Sequence, residues 1–374
     1  MTDAFENLAA APLRGLAAYD PGHDLEALRA RHAARGLVEL GSNENPWGPS
    51  PAALAAAREA LAGLHRYPDP RGSALRQALA ARHRVAADAI VLGNGSHELL
   101  MLAAQVFAGP GDEVVVSRYG FAVHALAARA VGARVVTVDA LPEQGPAPFG
   151  HDLEAMAAAL GPRTRMVYVC NPNNPTGTWF PPARLEALLE RLPESCVLVV
   201  DEAYAEYLDA AASVLDAFAG HPRLVVTRTF SKAYGLAGAR VGYAIAHPGL
   251  AGLFERLRES FNVSLPALAA ATAAVGDPGY VEDVRARNAT ERAFLAAGLR
   301  ARGMTVVDSR TNFLLCRLGV HCARIEAGLL ERGVVVRPMA GYGLPQHVRI
   351  SIGRREENAA LLDALDRVLE SLPC

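Results

Sequence analysis

Short, nearly continuous runs of β-branched and aliphatic residues alternate along this chain with longer alanine-rich stretches of helical spacing. That alternation is the signature of a parallel sheet with helices on its faces. The pattern predicts strands over Ala89–Leu92, Glu113–Ser117, Arg134–Val138, Arg165–Cys170, Cys196–Val200, Leu224–Thr227 and Arg240–Ala246. Between them fall helices such as His97–Phe107, Ala122–Ala130, Leu153–Ala159 and Ala183–Arg191. After Pro266 the character changes: a long helix over Tyr280–Arg302 leads into short strands at Thr305–Val307, Phe313–Arg317, Val334–Arg337 and Val348–Ile352, then a helix over Glu356–Leu372. The expected organisation is an arm (1–40) that packs with the small domain, a large α/β domain with a doubly wound, mostly parallel sheet (41–265), and a smaller α+β domain (266–374).

Bulk composition narrows the function classes. At 374 residues the chain exceeds one ordinary domain. Its 37 basic and 39 acidic side chains balance without a long run of either sign, which gives no support to a nucleic-acid or anionic-membrane partner. No apolar run reaches membrane-spanning length, and the first residues lack the basic and apolar regions of a signal peptide. Cys170, Cys196, Cys316, Cys322 and Cys374 are scattered, with no C-x-x-C pair. That spacing argues for reduced thiols in a cytoplasmic setting and against a metal site or disulfide framework.

In open α/β sheets, ligands gather at the carboxyl ends of the strands, and five polar segments fall at such ends. The most informative runs from Thr227 to Arg240, TRTFSKAYGLAGAR. A lysine at a strand-to-loop junction can be desolvated, which lowers its pKa and frees a nucleophilic amine. Ser231 and Arg240 beside Lys232 suit a phosphate, and a Schiff-base lysine next to a phosphate clamp is what pyridoxal phosphate (PLP) requires. A solvated surface lysine is the alternative. Gly93-Asn94-Gly95-Ser96-His97-Glu98 opens a helix whose free N–H groups suit a phosphate, or is a glycine turn with a serine cap. In Asn171-Pro172-Asn173-Asn174-Pro175-Thr176-Gly177, prolines and a glycine fix an asparagine in direction. Asp201, with Tyr204 three residues on, ends a buried strand, where a carboxylate is costly unless a cation such as a pyridinium meets it. It is otherwise a helix cap. Arg349, alternating with apolar residues, and Arg337 suit an anionic substrate group, or are surface ion-pair residues.

Taken together, the segments SNENPWGPSP (42–51), HRYPDPRG (65–72), GNGSHELL (93–100), NPNNPTG (171–177), VVDEAY (199–204), TFSKAYGLAGARVGY (229–243) and VRISIGRREEN (348–358) resemble the fold-type I PLP-dependent aminotransferases, most closely the histidinol-phosphate aminotransferase family. The resemblance implies a seven-stranded, mostly parallel sheet. It implies that Lys232 holds the cofactor covalently and then moves the proton between Cα and C4′. Asp201 would pair with the pyridinium nitrogen, and Asn174 and Tyr204 would hold the ring oxygen. Gly95, Ser96, Ser231 and Arg240 would hold the cofactor phosphate, with His97 beside it where many members carry Asp or Asn. Tyr119 would stack on the ring, and Tyr67 would reach the neighbouring site of a homodimer. Arg349 would bind the substrate's anionic end, with Tyr19, Asn43 and Arg337 completing that pocket. Phe261 stands where many members offer a tyrosine hydroxyl. The implied reaction exchanges an amino group between L-glutamate and imidazole-acetol phosphate. The alternatives are an aminotransferase for aromatic or other 2-oxo acids and a PLP decarboxylase of a phosphorylated amino acid. A transcription regulator built on such a domain would need a DNA-binding module, for which about 40 residues before SNENPW leave too little chain.

Overall fold

The computed structural model describes residues 5–20, 22–33, 36–209 and 212–372, so Cys374 lies outside the described residues. Its strands in chain order are β1 (Val38–Glu39), β2 (Ile90–Gly93), β3 (Glu113–Ser117), β4 (Arg134–Val138), β5 (Thr164–Cys170), β6 (Val197–Asp201), β7 (Leu224–Thr229), β8 (Gly242–Ala246), β9 (Thr305–Val306), β10 (Phe313–Arg317), β11 (Val334–Val335), β12 (Arg337–Pro338) and β13 (His347–Ser351). Seven of them form one sheet in the order β2-β8-β7-β6-β5-β3-β4. From β7 to β4 all neighbours are parallel; β8 alone runs antiparallel to both of its neighbours.

The strands are apolar at successive positions because both faces of the sheet are covered. Val167, Val169, Leu198, Val200 and Val226 enter one core, under the helix Leu265–Val275. Met166, Tyr168, Val197, Val199 and Val225 enter the other, under the helices Gly95–Phe107 and Ala122–Ala130. A second, antiparallel sheet, β12-β13-β10-β9, has its own core, which takes in Leu295, Leu299, Ile325, Leu329, Leu361 and Leu365 from three helices.

The two cores divide further along the chain than the composition break at Pro266. The helix Leu265–Val275 (LPALAAATAAV) is apolar nearly all round and is covered by the seven-stranded sheet's core. Within the 24-residue helix Pro278–Ala301, Val281 and Val284 join that same core, while Leu295 and Leu299 join the other. A helix of this length spans about 36 Å, enough to serve both. The arm is divided as well. β1 pairs in parallel with β11 of the α+β part, whereas Pro12 lies by Gly132 and Leu16–Tyr19 lie beside the helix Ala122–Ala130.

Register brings three strand ends together. Cys170 on β5 is level with Asp201 on β6, and Asp201 with Thr227 on β7. The loops that follow these parallel strands therefore leave from one edge, and they carry Asn174, Tyr204 and Lys232.

Candidate active site

At that edge lies a cavity of about 400 Å³, lined from the strand ends by Asn174, Asp201, Tyr204, Ser231 and Lys232, from the helix start by Ser96 and His97, and from the second sheet by Arg349. Tyr19, Asn43 and Arg240 also line it. Lys232 is half-buried, and its Nζ donates to the Ser42 carbonyl at 3.4 Å. Burial pushes the amine down to about 8, and the Arg349 guanidinium adds to the effect. An amine so placed is free as a base and nucleophile in a much larger fraction near neutral pH than an ordinary lysine, and mostly free above pH 8.

Asp201 is 2% exposed. Its Oδ1 accepts from the Ala203 amide and from the Thr227 hydroxyl, both at 3.2 Å. Burial nevertheless raises the carboxyl to about 6. His124 Nε2 stands 3.9 Å from Oδ2, but burial holds this imidazole down to about 3, so it is neutral and gives no ion pair. It is fixed by stacking on Tyr168 at 4.7 Å, with the ring planes 3° apart. The neighbouring Glu202 is held separately: its Oε2 accepts from Arg228 Nη2 at 2.8 Å and from the Ser213 hydroxyl at 2.8 Å. A buried carboxylate with one oxygen lacking a hydrogen-bond donor among the described residues fits a cationic ring nitrogen.

Opposite the lysine, donors have been assigned by what already occupies their neighbours. Asn43 Nδ2 donates to the Tyr204 hydroxyl oxygen at 2.9 Å, leaving the phenolic O–H to be given elsewhere. Arg349 Nη1 donates to Asn174 Oδ1 at 2.7 Å and Nη2 to the Gly41 carbonyl at 2.9 Å. This leaves the Asn174 amide N–H groups for another acceptor. Arg349 Nε is buried without a partner among the described residues.

The other end of the cavity is shaped for a phosphate. Gly95 has φ +79°, and a β-carbon there would stand 2.5 Å from Arg240 Nη2. One at Gly242 would stand 2.6 Å from the Ser96 amide nitrogen. Arg240, itself at φ 55°, donates from Nη1 to Ser231 Oγ at 3.3 Å. The expected strand Arg240–Ala246 therefore starts only at Gly242, because Arg240 occupies a left-handed turn that brings its guanidinium over the helix start. First-turn amides of a helix, a guanidinium and a hydroxyl form an anion cradle. His97 lies next to it, its ring edge-on to Tyr19 at 5.8 Å, and burial followed by Arg240 lowers its pKa.

Two of the expected residues lie elsewhere, and Tyr67, expected at a partner's site, lies outside this cavity. Tyr119 does not line the cavity: its ring packs edge-on against Phe149 at 5.3 Å, and its carbonyl accepts from Asn173 Nδ2. Phe121, two residues later, lines the cavity instead. Both are aromatic residues in one short turn, so only the direction of the backbone distinguishes them. Arg337 lies in an adjoining cavity of about 300 Å³ that shares Tyr19 and Arg349. Its Nη2 donates to the Asp20 carbonyl at 2.6 Å and faces Asp20 Oδ2 at 3.2 Å. Tyr67 is 82% exposed and stacks on Phe261 of the same chain at 4.7 Å. His124, Glu44 and Cys170 were not anticipated as neighbours of the site. A histidine three residues after the aromatic Phe121, one helical turn on, is the only local signal that could have pointed to His124. No cluster that could hold a metal ion occurs among the described residues.

Residues 35–365 match the family model for aminotransferase class I and II. The chain is 46% identical, over 98% of its length and 98% of the relative's, to histidinol-phosphate aminotransferase 1 of Nitrosococcus oceani. It is 48% identical to histidinol-phosphate aminotransferase 1 of Thiobacillus denitrificans, over 96% of this chain and 93% of that one. Among solved structures it resembles histidinol-phosphate aminotransferase from Sinorhizobium meliloti in complex with pyridoxal 5′-phosphate, with TM-score 0.88, 32% identity and 98% of each chain covered. It also resembles the aspartate aminotransferase of Thermus thermophilus with maleate, with TM-score 0.85, 28% identity and coverage of 96% and 99%.

Proposed function

We propose a reaction for this chain on one premise: it belongs to the class I and II aminotransferase family. The reaction is PLP-dependent transamination in two halves. L-Glutamate delivers its amino group and leaves as 2-oxoglutarate, and the amine then passes to imidazole-acetol phosphate to give L-histidinol phosphate. The observation that carries this reading is the convergence of Lys232, Asp201 and Arg349 on one cavity.

When bound, PLP supplies an electron sink for the charge left as a proton departs from the substrate's Cα. Asp201 would meet its ring nitrogen, and Tyr204 would give its O–H and Asn174 its amide N–H to the ring oxygen. The Gly95–Ser96 amides, Ser231 and Arg240 would take its phosphate, and Phe121 would cover a ring face. Lys232 would anchor the cofactor and, as a free amine, would move the proton at Cα. Arg349 draws the substrate's anionic end, the carboxylate of glutamate or the phosphate of histidinol phosphate, towards Tyr19 and Asn43. Arg337 would take part from the adjoining cavity once its contact with Asp20 opens.

Two chains would share the work in a cytoplasmic homodimer. A tyrosine 82% exposed, stacked on an exposed phenylalanine, is apolar surface suited to a second copy, and Tyr67 would then serve the neighbouring site. Cys170, Cys196, Cys316 and Cys322 are free thiols, in keeping with that compartment.

A second reading, a transaminase of aromatic 2-oxo acids, is favoured by Phe261, whose ring offers no hydroxyl to a phosphate. The deciding measurement is kcat/KM for histidinol phosphate against phenylalanine and tyrosine, scored by pyridoxamine formation. Histidinol phosphate should be preferred. A preference for the aromatic amino acids would overturn the assignment.

A further inference from the structure

Glu44 lines the cavity beside Lys232, and its carboxylate has no hydrogen-bond or ion-pair partner among the described residues. The backbone on either side of it is held from three directions. The Asn43 amide donates to Ser351 Oγ at 2.8 Å, and Asn312 Nδ2 donates to the Asn43 carbonyl at 3.0 Å and to that of Glu44 at 3.3 Å. On the other side, Asn45 Nδ2 donates to the Ala233 carbonyl at 2.9 Å, the residue after Lys232. Asn43 itself stands at φ 56°, a left-handed conformation that costs energy in most side chains. These bonds fix the backbone at residue 44, and from it the exposed Glu44 side chain lines the cavity with no ion-pair partner among the described residues. Its charge reaches Lys232, whose ammonium form it favours against Arg349 and Arg240.

The other charges of the cavity have assigned partners. Arg240 belongs to the phosphate end, Asp201 to the ring nitrogen and Arg349 to the substrate's anion. With these satisfied, Glu44 is the one carboxylate of the lining left to face substrate. A purely anionic substrate gains nothing from it. A substrate with an anion at one end and an N–H-bearing heterocycle at the other is matched by Arg349 and Glu44 together.

We propose that Glu44 is a specificity residue that accepts a hydrogen bond from the ring N–H of the imidazole in the amino substrate, and so sets it apart from glutamate and from aromatic amino acids. This rests on the histidinol-phosphate reading. It adds the group that recognises the ring.

The test compares the two half-reactions in the PLP-loaded enzyme and its Glu44→Gln and Glu44→Asp variants. Glu44→Gln should lower kcat/KM for histidinol phosphate roughly 10- to 100-fold, mainly through KM, the range for loss of a charge-assisted hydrogen bond. The glutamate half-reaction should hold or improve. Glu44→Asp, which keeps the charge, should recover part of the loss. In a Lys232→Ala background, calorimetry should show the dissociation constant of histidinol phosphate weakened by a similar factor on adding Glu44→Gln. An equal fall for glutamate, or no change for histidinol phosphate, would overturn the role of Glu44 while leaving the function standing. Failure of the unsubstituted enzyme to use histidinol phosphate would overturn the function and this role with it, a result visible before any variant is made.

Discussion

Arg349 on β13 donates a 2.7 Å hydrogen bond to Asn174, which follows β5, across 175 residues of chain. One end of that contact belongs to the four-stranded sheet and the other to the seven-stranded sheet. The group proposed to receive the substrate's anion thus touches the group proposed to hold the cofactor's ring oxygen.

Arg349→Ala should raise KM for the anionic substrate by about 10- to 100-fold, since charge-assisted hydrogen bonds are worth about 1.5–3 kcal/mol. Arg349→Lys should recover little, because one ammonium cannot bridge Asn174 and the Gly41 carbonyl as the planar guanidinium does. Steady-state kinetics with glutamate and histidinol phosphate checks both variants, and an unchanged KM in Arg349→Ala removes the residue from the site.

Lys232 carries an amine pushed down to about 8. The rate at which cofactor-free protein captures PLP should therefore rise with pH through a midpoint near 8, and level off where an ordinary lysine would still be charged. Stopped-flow absorbance between pH 6 and 10 measures it. Lys232→Ala should lose the visible absorbance of the attached cofactor and slow proton transfer by about 10²- to 10⁴-fold.

Asp201 is held at about 6 by burial, against an ordinary 3.8. Between those values the folded cofactor-free chain binds more protons than the unfolded one. Its stability on this account is greatest below about pH 4 and falls as pH rises to 6, by about 3 kcal/mol in all. Denaturant unfolding of cofactor-free wild type and Asp201→Asn should show the variant gaining on the wild type from pH 4 to 7. With PLP present the order should reverse, because the carboxylate then has its cation.

Arg228 holds Glu202, the residue next to Asp201, from Nη2 at 2.8 Å in a buried ion pair. Arg228→Met should destabilise the protein by about 3–5 kcal/mol by leaving that carboxylate unpaired. The double variant Arg228→Met, Glu202→Gln should recover part of the loss. Chemical denaturation reads both.

Tyr67 can be assigned to a chain by mixing. Hybrids of Lys232→Ala chains with Tyr67→Ala chains contain one site with both an intact lysine and a partner's intact tyrosine. Activity above that of either parent is expected. If Tyr67 served its own site, the hybrid would show no such recovery.

The site was legible in the sequence wherever a residue sits at the carboxyl end of a strand. Lys232, Asp201 and Asn174 follow β-branched runs, and a parallel sheet must bring such ends to one edge. Phe121 was not separable from Tyr119 by composition, since both are aromatic in one turn and only one ring can face the cavity. Arg337 was read as part of the substrate pocket from its place in a strand. The contact with Asp20, 317 residues away, could not be read from either segment.

What the sequence by itself determined is therefore the layered α/β core and the chemistry at its strand ends, because hydrophobic period and strand polarity are local properties that constrain topology. The tertiary structure decided which atoms remain free. Asn43 occupies one side of the Tyr204 hydroxyl, Arg349 occupies the Asn174 oxygen, and the exposed Glu44 has no ion-pair partner among the described residues. Those outcomes depend on which partner reaches a group first across hundreds of residues, and only a packed chain fixes that.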